Sequence, residues 1–498
     1  MALQTVSGRR VLKRSSHIDV AMNMKRLSGL SVGRMCMVLA VMAMGVTAAA
    51  SDRYTAARQI DSLIYEGLPV GTDIALMVYD LTDDTTVYAY REDVMCRPAS
   101  VQKVVTSTVA LASLGKDFQF ETRLAIRGGI SSGGVLDGDV WLVGGLDPAL
   151  CEQDLRQLAS ALKSAGVRKI KGPLYADVSM MDSVTWGPGW CWDDAPASFQ
   201  PYISPLMVHG GYVSVQARPT EPGKAPSIGI YPQNSFIKVE NKAVTRNSKA
   251  GSFKVTRDWM HDDNTILVSG NVSKTQSKDI SVSDSQEFTF SLFREYLDME
   301  GVSYSEYAYG QCPALVQNIS VIRHSLTAVM RQALKESDNL YAECMFLRCG
   351  KLSTGGAVDF STAASYTDSF VGRQFGLRSS AYNIVDGSGL SMYDFMTPRF
   401  LIDMLSMIYS RPEYYEIMYP CLPVSGVDGT MKTRLSDRNT LGRVHAKTGS
   451  VTGACTLAGY VRTASGHDLA FSIMNGGAIK MAASRKLQDQ ICTILCNM

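Results

Sequence analysis

The chain has 498 residues, of which 46% are hydrophobic and 19% charged, with 49 basic and 47 acidic side chains. Because this length exceeds what one hydrophobic core usually organises, we expect two or more domains, or one domain with large insertions. The composition excludes an intrinsically disordered chain and a protein with many membrane spans.

The first fifty residues follow the order of a secretory signal peptide. Seven basic residues stand against a single acid, Asp19, which leaves 42 basic and 46 acidic residues for the rest of the chain. An apolar run over 35–46 precedes the small residues Thr47-Ala48-Ala49-Ala50. A run of this length is too short to span a bilayer of about 30 Å, which argues against the alternative of a membrane anchor. We therefore expect export with cleavage near Ala50, and Met24 is an alternative start.

Loss of this leader would leave ten of the eleven cysteines in an oxidising compartment. Disulfides are permitted there, and buried free thiols are an equally open alternative. Two pairs, Cys344 with Cys349 and Cys492 with Cys496, have helical spacing, which places them poorly for bridging.

The predicted elements begin with a short helix to about residue 65. Two strands over 73–80 and 86–90 follow and form a hairpin. The segment 98–103 then opens an apolar run that stops at Gly115. Proline near its start, glycine at its end and apolar residues nearly all round predict a buried helix.

The pattern changes over residues 116–317 to short alternating runs punctuated by glycine. This stretch is predicted to be a β-rich insertion with one clear helix over 152–164. Helices return from residue 324 to 335 and again over 338–348. The end of the chain is rich in strands, followed by a helix with apolar residues on one face; the strands are 443–448, 454–462 and 467–474, and the apolar residues are Leu487, Ile491, Ile494 and Leu495.

Ser100 and Lys103 stand three residues apart at the start of the predicted helix, which puts their side chains on one face. A serine hydroxyl is a weak nucleophile unless a base takes its proton, and a neutral lysine amine can be that base. The amino end of the helix adds free N–H groups that could stabilise an oxyanion. This pair alone is a weak signal, because the spacing arises by chance in a serine-rich chain.

Two further pieces strengthen the signal. Ser337-Asp338-Asn339 lies in the break between two predicted helices, where short polar side chains can point into a cleft. Lys447-Thr448-Gly449 lies on a predicted strand and is followed by Ser450. Serine acylases of the β-lactamase and penicillin-binding type need these three pieces in this order.

The three pieces resemble those of the class C penicillin-binding proteins, which are D-Ala-D-Ala carboxypeptidases and DD-endopeptidases. Further segments are similar to the same family, and the resemblance covers nearly the whole chain after the leader. These segments are 138–148, 189–194, 386–391, Thr397-Pro398 and 422–430.

The resemblance implies an α+β fold. In this fold a β-lactamase/transpeptidase-like domain, with helices packed on an antiparallel sheet, is interrupted by a β-rich inserted region. The implied division is a signal peptide over 1–50, a catalytic domain over 51–115 and 318–498, and the insertion over 116–317. The family's habit also implies a periplasmic location.

The resemblance also implies catalytic roles. Ser100 would attack the carbonyl of the penultimate D-alanine, and Lys103 would accept its proton. Ser337 would help to pass a proton to the leaving amine, and Asn339 would hold the peptide amide and orient Lys103. For this, Lys103 must be neutral, although a free lysine has a pKa of about 10.4. Burial and a neighbouring Lys447 would lower the pKa of Lys103.

Substrate binding is implied for the third piece. Lys447 and Thr448 would bind the terminal carboxylate of D-alanine, beside Gly449. The backbone N–H groups of Ser100 and Ser450 would form the oxyanion hole. No metal or organic cofactor is expected. The expected ligands are peptidoglycan stem peptides, with β-lactam antibiotics as covalent inhibitors and no nucleic acid.

Two positions depart from the family pattern. His445 stands where arginine or lysine is usual, so it either alters carboxylate recognition or simply faces outward from its strand. Ser450 stands where threonine is common and keeps the hydroxyl. Asp193 or Asp194 is a candidate for reading the amino end of the peptide, with a structural turn as the alternative.

Other functions are disfavoured by motif. The glycine runs near Gly128 and Gly144 lack the Gly-Lys-Ser/Thr of a nucleotide loop, and His209-Gly210-Gly211 is not a zinc-hydrolase motif. The segment 386–389 is interpreted as a glycine-shaped loop and not as a second nucleophile. Two alternatives stay open: a β-lactamase or esterase with the same machinery, and a non-catalytic cell-wall binding or scaffold protein.

Overall fold

A computed structural model describes residues 52–247 and 252–498. The predicted signal peptide lies outside the described residues, so its prediction stays a prediction. Within the described ranges, no helix combines the length and the apolar character that crossing a membrane requires.

A five-stranded antiparallel sheet joins the two ends of the described chain. Its two amino-terminal strands form the predicted hairpin, and the first of them pairs along its whole length with the last strand of the chain. The prediction of three carboxy-terminal strands is also confirmed. In spatial order the strands are Val444–Val451, Gly453–Arg462, Asp468–Ala478, Asp73–Asp80 and Thr85–Tyr90.

Helices cover both faces of this sheet. On one face, the helix over 52–67 and the helix Met481–Asn497 bury Ile60, Leu487 and Ile491 against the sheet. The other face carries a larger helical layer in which the predicted buried helix is central. The helices of this layer are Gln102–Leu114, Leu326–Lys335, Asn339–Lys351, Phe360–Phe370, Pro398–Tyr409 and Pro412–Met418.

The helix Gln102–Leu114 is buried on every side over its first ten residues, which explains its nearly uniform apolar composition. Gly115 ends it with φ +85°, a conformation that favours glycine. Two neighbouring helices begin at side-chain caps. Ser325 accepts from the N–H of Ala328, and Asp338 accepts from the N–H of Tyr341.

Residues 119–325 contain three further sheets, a six-stranded one and two of three strands. They share a second core that includes Leu124, Leu158 and Phe293. The strand Gln317–Ser325 pairs with Gln119–Ile130, so the helix predicted from residue 324 begins two residues later, at Leu326.

The strands of this region are short and numerous. They are Gln119–Ile130, Val135–Val143, Lys169–Ile170, Leu174–Asp177, Tyr212–Arg218, Ser227–Tyr231, Lys238–Thr245, Lys254–Arg257, Thr265–Val272, Gln276–Ser281, Tyr307–Tyr309 and Gln317–Ser325. The predicted helix Glu152–Ser164 is confirmed. A second helix, Ser285–Met299, was not predicted, because Phe288, Phe290 and Leu292 alternate with polar residues as they would in a strand.

All ten cysteines in the described parts of the chain are free thiols. Cys344 and Cys349 lie on one helix and Cys492 and Cys496 on another, and all four are buried. The helical spacing had argued against bridging within these pairs, and the structure agrees.

Candidate active site

Ser100 lies in a short 3₁₀ turn, Ala99–Val101, that leads directly into the helix Gln102–Leu114. Ala99 has φ +48°, in the left-handed region that non-glycine residues seldom adopt. The flanking residues Ala99 and Val101 are buried, while Ser100 is partly exposed. Tight packing therefore holds a strained turn that presents one hydroxyl to solvent.

Lys103 is fully buried beneath this hydroxyl. Its Nζ atom lies 2.9 Å from Ser100 Oγ, 2.7 Å from Asn339 Oδ1 and 2.9 Å from the carbonyl oxygen of Ser388. Burial lowers the pKa of Lys103 to about 8, although the carboxylates of Glu343 and Asp386 oppose this shift. A neutral Lys103 can donate to the two carbonyl oxygens and accept from the Ser100 hydroxyl.

Lys447 makes a second lysine–serine pair. Its Nζ atom donates to Ser337 Oγ at 2.8 Å and to the carbonyl oxygen of Thr448 at 2.7 Å. Burial, together with the charge of Lys103, lowers the pKa of Lys447 well below its usual value. Ser337 has φ +63°, so the break between the two helices holds its hydroxyl in an uncommon backbone conformation.

The strand Val444–Val451 lies against the turn that carries Ser100. A Cβ atom on Gly449 would stand 2.1 Å from Thr456 Oγ1 and 3.0 Å from the backbone nitrogen of Ser100. Thr456 in turn donates to the carbonyl oxygen of Pro98 at 2.7 Å. The absence of a side chain at Gly449 therefore permits the close contact between strand and turn.

One cavity of about 640 Å³ connects these groups. Asn339 Nδ2 donates to the carbonyl oxygen of Phe199 at 2.8 Å, and the hydroxyl of Thr448 donates to that of Thr430 at 2.8 Å. The lining includes six of the ten residues that the sequence singled out: Ser100, Ser337, Asn339, Ser450, Asp193 and Asp194.

Asp193 and Asp194 lie in the 3₁₀ turn Trp192–Asp194 at the edge of this cavity. Burial and the neighbouring charge of Asp193 raise the pKa of Asp194. Both residues therefore line the same cavity as Ser100, and both belong to a turn.

The loop over 386–391 is a part of the site that the sequence did not assign. Asp386 is buried, and its carboxylate accepts from the N–H groups of Gly389 and Ser391 at 2.7 and 2.8 Å and from Trp190 Nε1 at 2.9 Å. Gln102 donates to the same carboxylate at 3.0 Å. The loop thereby fixes the Ser388 carbonyl that accepts from Lys103.

Glu343 supports this loop from below. Its two carboxyl oxygens accept from the N–H groups of Gly387 and Ser388 at 2.7 and 2.8 Å. Burial and the nearby Asp386 carboxylate raise the pKa of Glu343. An acid four residues after Asn339, on the same helix face, was the available sequence signal.

His445 does not lie free on the strand surface. Its ring stacks on that of Tyr419, with centroids 4.0 Å apart and planes inclined by 13°. Burial lowers the pKa of His445. The imidazole therefore belongs to a cluster of aromatic rings, in which its neutral form is favoured.

The antiparallel sheet with helices on both faces, together with the paired serines and lysines, defines the class of serine-type enzymes built on the β-lactamase-like fold. The model of the D-Ala-D-Ala carboxypeptidase 3 (S13) family matches residues 56–498. The chain belongs to this family. It is therefore a D-alanyl-D-alanine carboxypeptidase, a hydrolase of the serine type that acts on peptidoglycan.

Individual relatives agree with this assignment. A D-alanyl-D-alanine carboxypeptidase from Actinomadura sp. (strain R39) is 29% identical over 449 residues, which are 86% of this chain and 82% of the relative. D-alanyl-D-alanine carboxypeptidase DacB from Haemophilus influenzae is 27% identical, over 82% of this chain and 86% of its own. The crystal structure of penicillin binding protein 4 (dacB) from Haemophilus influenzae superposes with a TM-score of 0.79 at 25% identity, covering 88% of this chain and 99% of that one.

Proposed function

We propose that Ser100 is the nucleophile of this carboxypeptidase and that neutral Lys103 is its general base. Ser100 Oγ attacks the carbonyl carbon of the penultimate D-alanine, and its proton passes to Lys103 Nζ. The peptide bond then breaks and D-alanine leaves as an amine, so that an acyl ester remains on Ser100. Attack by water on this ester releases the shortened peptide. The 2.9 Å contact between Lys103 Nζ and Ser100 Oγ carries the proposal.

The remaining polar groups complete the proposed reaction. Ser337, hydrogen-bonded to Lys447, relays the proton that the leaving amine needs, and Asn339 orients Lys103 and binds the peptide amide. The hydroxyl of Thr448 and the amine of Lys447 bind the terminal carboxylate. The N–H groups of Ser100 and Ser450 stabilise the oxyanion, which in comparable enzymes is worth about 3 kcal/mol for each donor.

Asp193 and Asp194 are the proposed contacts for the amino end of the bound stem peptide. Their place on the lining of the same cavity supports this role, because a free amine or ammonium group on the peptide would be attracted to two carboxyl groups. The adjoining turn would position both side chains.

The proposal extends to substrate and compartment. A cross-link between stem peptides contains the same kind of D-alanyl amide bond, so the same attack would make the enzyme a DD-endopeptidase. The charge and apolar pattern of the first fifty residues supports export to the periplasm. We also propose that the β-rich region is an insertion in the catalytic domain. Because its last strand, Gln317–Ser325, pairs within the region, the insertion would span 116–325 and the catalytic domain 51–115 and 326–498.

The test is the intact mass of the protein after incubation with benzylpenicillin. Covalent β-lactam binding is expected, since one relative is named a penicillin binding protein. We expect a stable adduct of one drug per chain in the wild type, none in Ser100→Ala, and a normal adduct in Ser410→Ala, which changes an exposed serine.

Each other outcome would contradict part of the proposal. An adduct that persists in Ser100→Ala would exclude Ser100 as the nucleophile. No adduct on a folded wild type would favour the non-catalytic scaffold. Fast drug hydrolysis without an accumulating adduct would favour a β-lactamase.

A further inference from the structure

Arg485 places a cation beside the proposed oxyanion hole. It lies near the start of the helix Met481–Asn497, and its Nη2 atom donates to Ser450 Oγ at 3.3 Å. Ser450 is exposed and lines the cavity in front of Ser100, as does Met481 at the beginning of the same helix. This end of the helix therefore forms part of the wall of the site.

The guanidinium of Arg485 has no counter-ion in the described parts of the chain. No carboxylate oxygen there lies within 4.0 Å of it. The acid one turn further along the helix, Asp489, is already paired with Arg434 at 2.7 Å. An exposed arginine that donates to a single neutral hydroxyl keeps N–H groups available for an anionic ligand.

A permanent positive charge beside the cavity would strengthen its binding of a carboxylate. Its described lining contains two acids, Asp193 and Asp194, and neither lysine nor arginine. Lys447 is fully buried, and its nitrogen already donates to Ser337 and to the Thr448 carbonyl. A guanidinium, in contrast, stays charged at every physiological pH and can bind a carboxylate through two parallel N–H groups.

We propose that Arg485 is a specificity-determining residue that binds the free α-carboxylate at the carboxy-terminal end of the substrate, next to the hydroxyls of Thr448 and Ser450. This inference rests on the proposed function of Ser100. It assigns to Arg485 the selection of chains that end in a carboxylate over chains whose end is neutral.

Equilibrium binding in a Ser100→Ala background tests Arg485 without any turnover. The probes are diacetyl-L-lysyl-D-alanyl-D-alanine and its carboxy-terminal amide, measured by isothermal titration calorimetry. In the presence of Arg485 the acid should bind more tightly than the amide. Adding Arg485→Gln should weaken binding of the acid about tenfold and binding of the amide less than twofold. Arg485→Lys, which keeps the charge without the planar fork, should recover part of the loss.

Matched variants separate this role from general electrostatics. Lys486→Gln removes one exposed charge from the adjacent position and should leave the preference for the acid unchanged. Arg97→Gln removes the guanidinium that donates to the Met392 sulfur at 3.1 Å and should have a smaller effect than Arg485→Gln.

The inference is overturned if Arg485→Gln weakens binding of the acid and the amide equally, or leaves both unchanged. It is also overturned if Arg97→Gln or Lys486→Gln, and not Arg485→Gln, abolishes the preference for the acid. Failure of the proposed function would show differently, as a wild type that benzylpenicillin does not acylate. The two results are independent, because the binding measurement does not use the Ser100 hydroxyl.

Discussion

Nζ of Lys103 lies 2.9 Å from Oγ of Ser100, and Lys103 is fully buried. Because burial penalises the charged ammonium, the pair is closer to a neutral amine and a hydroxyl than the two amino acids would be in water. The nearest carboxylates, on Glu343 and Asp386, act on Lys103 through the loop over 386–389 and through space. Burial thus brings the pKa of Lys103 closer to neutral pH, although Lys103 forms no direct ion pair with a carboxylate of the described residues.

The rate of acylation should therefore follow the deprotonation of Lys103. With the pKa of Lys103 at about 8, the charged, inactive form predominates below that pH. The second-order rate constant for acylation by benzylpenicillin should rise about tenfold per pH unit up to about pH 7 and level off above about pH 9. A profile measured from pH 6 to 10 checks this, with the melting temperature recorded at each pH as the control. A flat profile, or a midpoint near pH 6, would contradict it.

Removal of the Ser337 hydroxyl should separate proton transfer from acyl transfer. Ser337→Ala should slow hydrolysis of a D-Ala-D-Ala peptide about 100-fold, since the leaving amine loses its proton relay. The same change should slow hydrolysis of a thioester substrate less than tenfold, because a thiolate leaves without taking up a proton. Ser410→Ala, in an exposed position, should change neither rate. Equal losses on the two substrates would argue against the relay.

A methyl group at Gly389 should damage the site by displacing the nucleophile turn. Gly389 has φ +78°, and an added Cβ would lie 2.0 Å from the carbonyl oxygen of Ala99. Gly376→Ala is the matched control, because Gly376 has φ +70° with no atom within 4 Å of an added Cβ. Gly376→Ala should cost about 1 kcal/mol of unfolding free energy and no activity. Gly389→Ala should lower stability too, and in addition it should lower the acylation rate at least tenfold. Equal acylation rates in the two variants would exclude displacement of the turn.

Sequence spacing alone predicted one of the two serine–lysine contacts at the centre of the site. Ser100 lies in the 3₁₀ turn that leads into the helix of Lys103, three residues away, so their contact follows from local geometry. Ser337 and Lys447 are 110 residues apart, and neither spacing nor resemblance predicted a contact between them. Their hydrogen bond depends on how the strand Val444–Val451 packs against the helical layer, which no local pattern encodes.

The supporting groups were harder to predict, because their roles depend on burial. Glu343 and Asp386 look like ordinary surface acids in the sequence, and only the packed structure shows that both are fully buried. Arg485 lies on a helix that was identified from its apolar face alone. The helix Ser285–Met299 was missed for a related reason. Apolar residues at every second position, Phe288, Phe290 and Leu292, are compatible with a strand or a helix until the caps and the packing are known.

The buried carboxylate of Asp386 should be a major source of stability for the site. Asp386→Asn replaces one acceptor oxygen by an NH₂ group, which would face N–H donors from the loop or from Trp190. Each buried donor left without an acceptor costs about 1–3 kcal/mol, so we expect a loss of about 3 kcal/mol in unfolding free energy. Urea unfolding measures it, and Asp137→Asn, in an exposed ion pair with Lys171, should change stability by less than about 0.5 kcal/mol. A folded Asp386→Asn protein as stable as the wild type would show that the loop is held by its packing and not by this carboxylate.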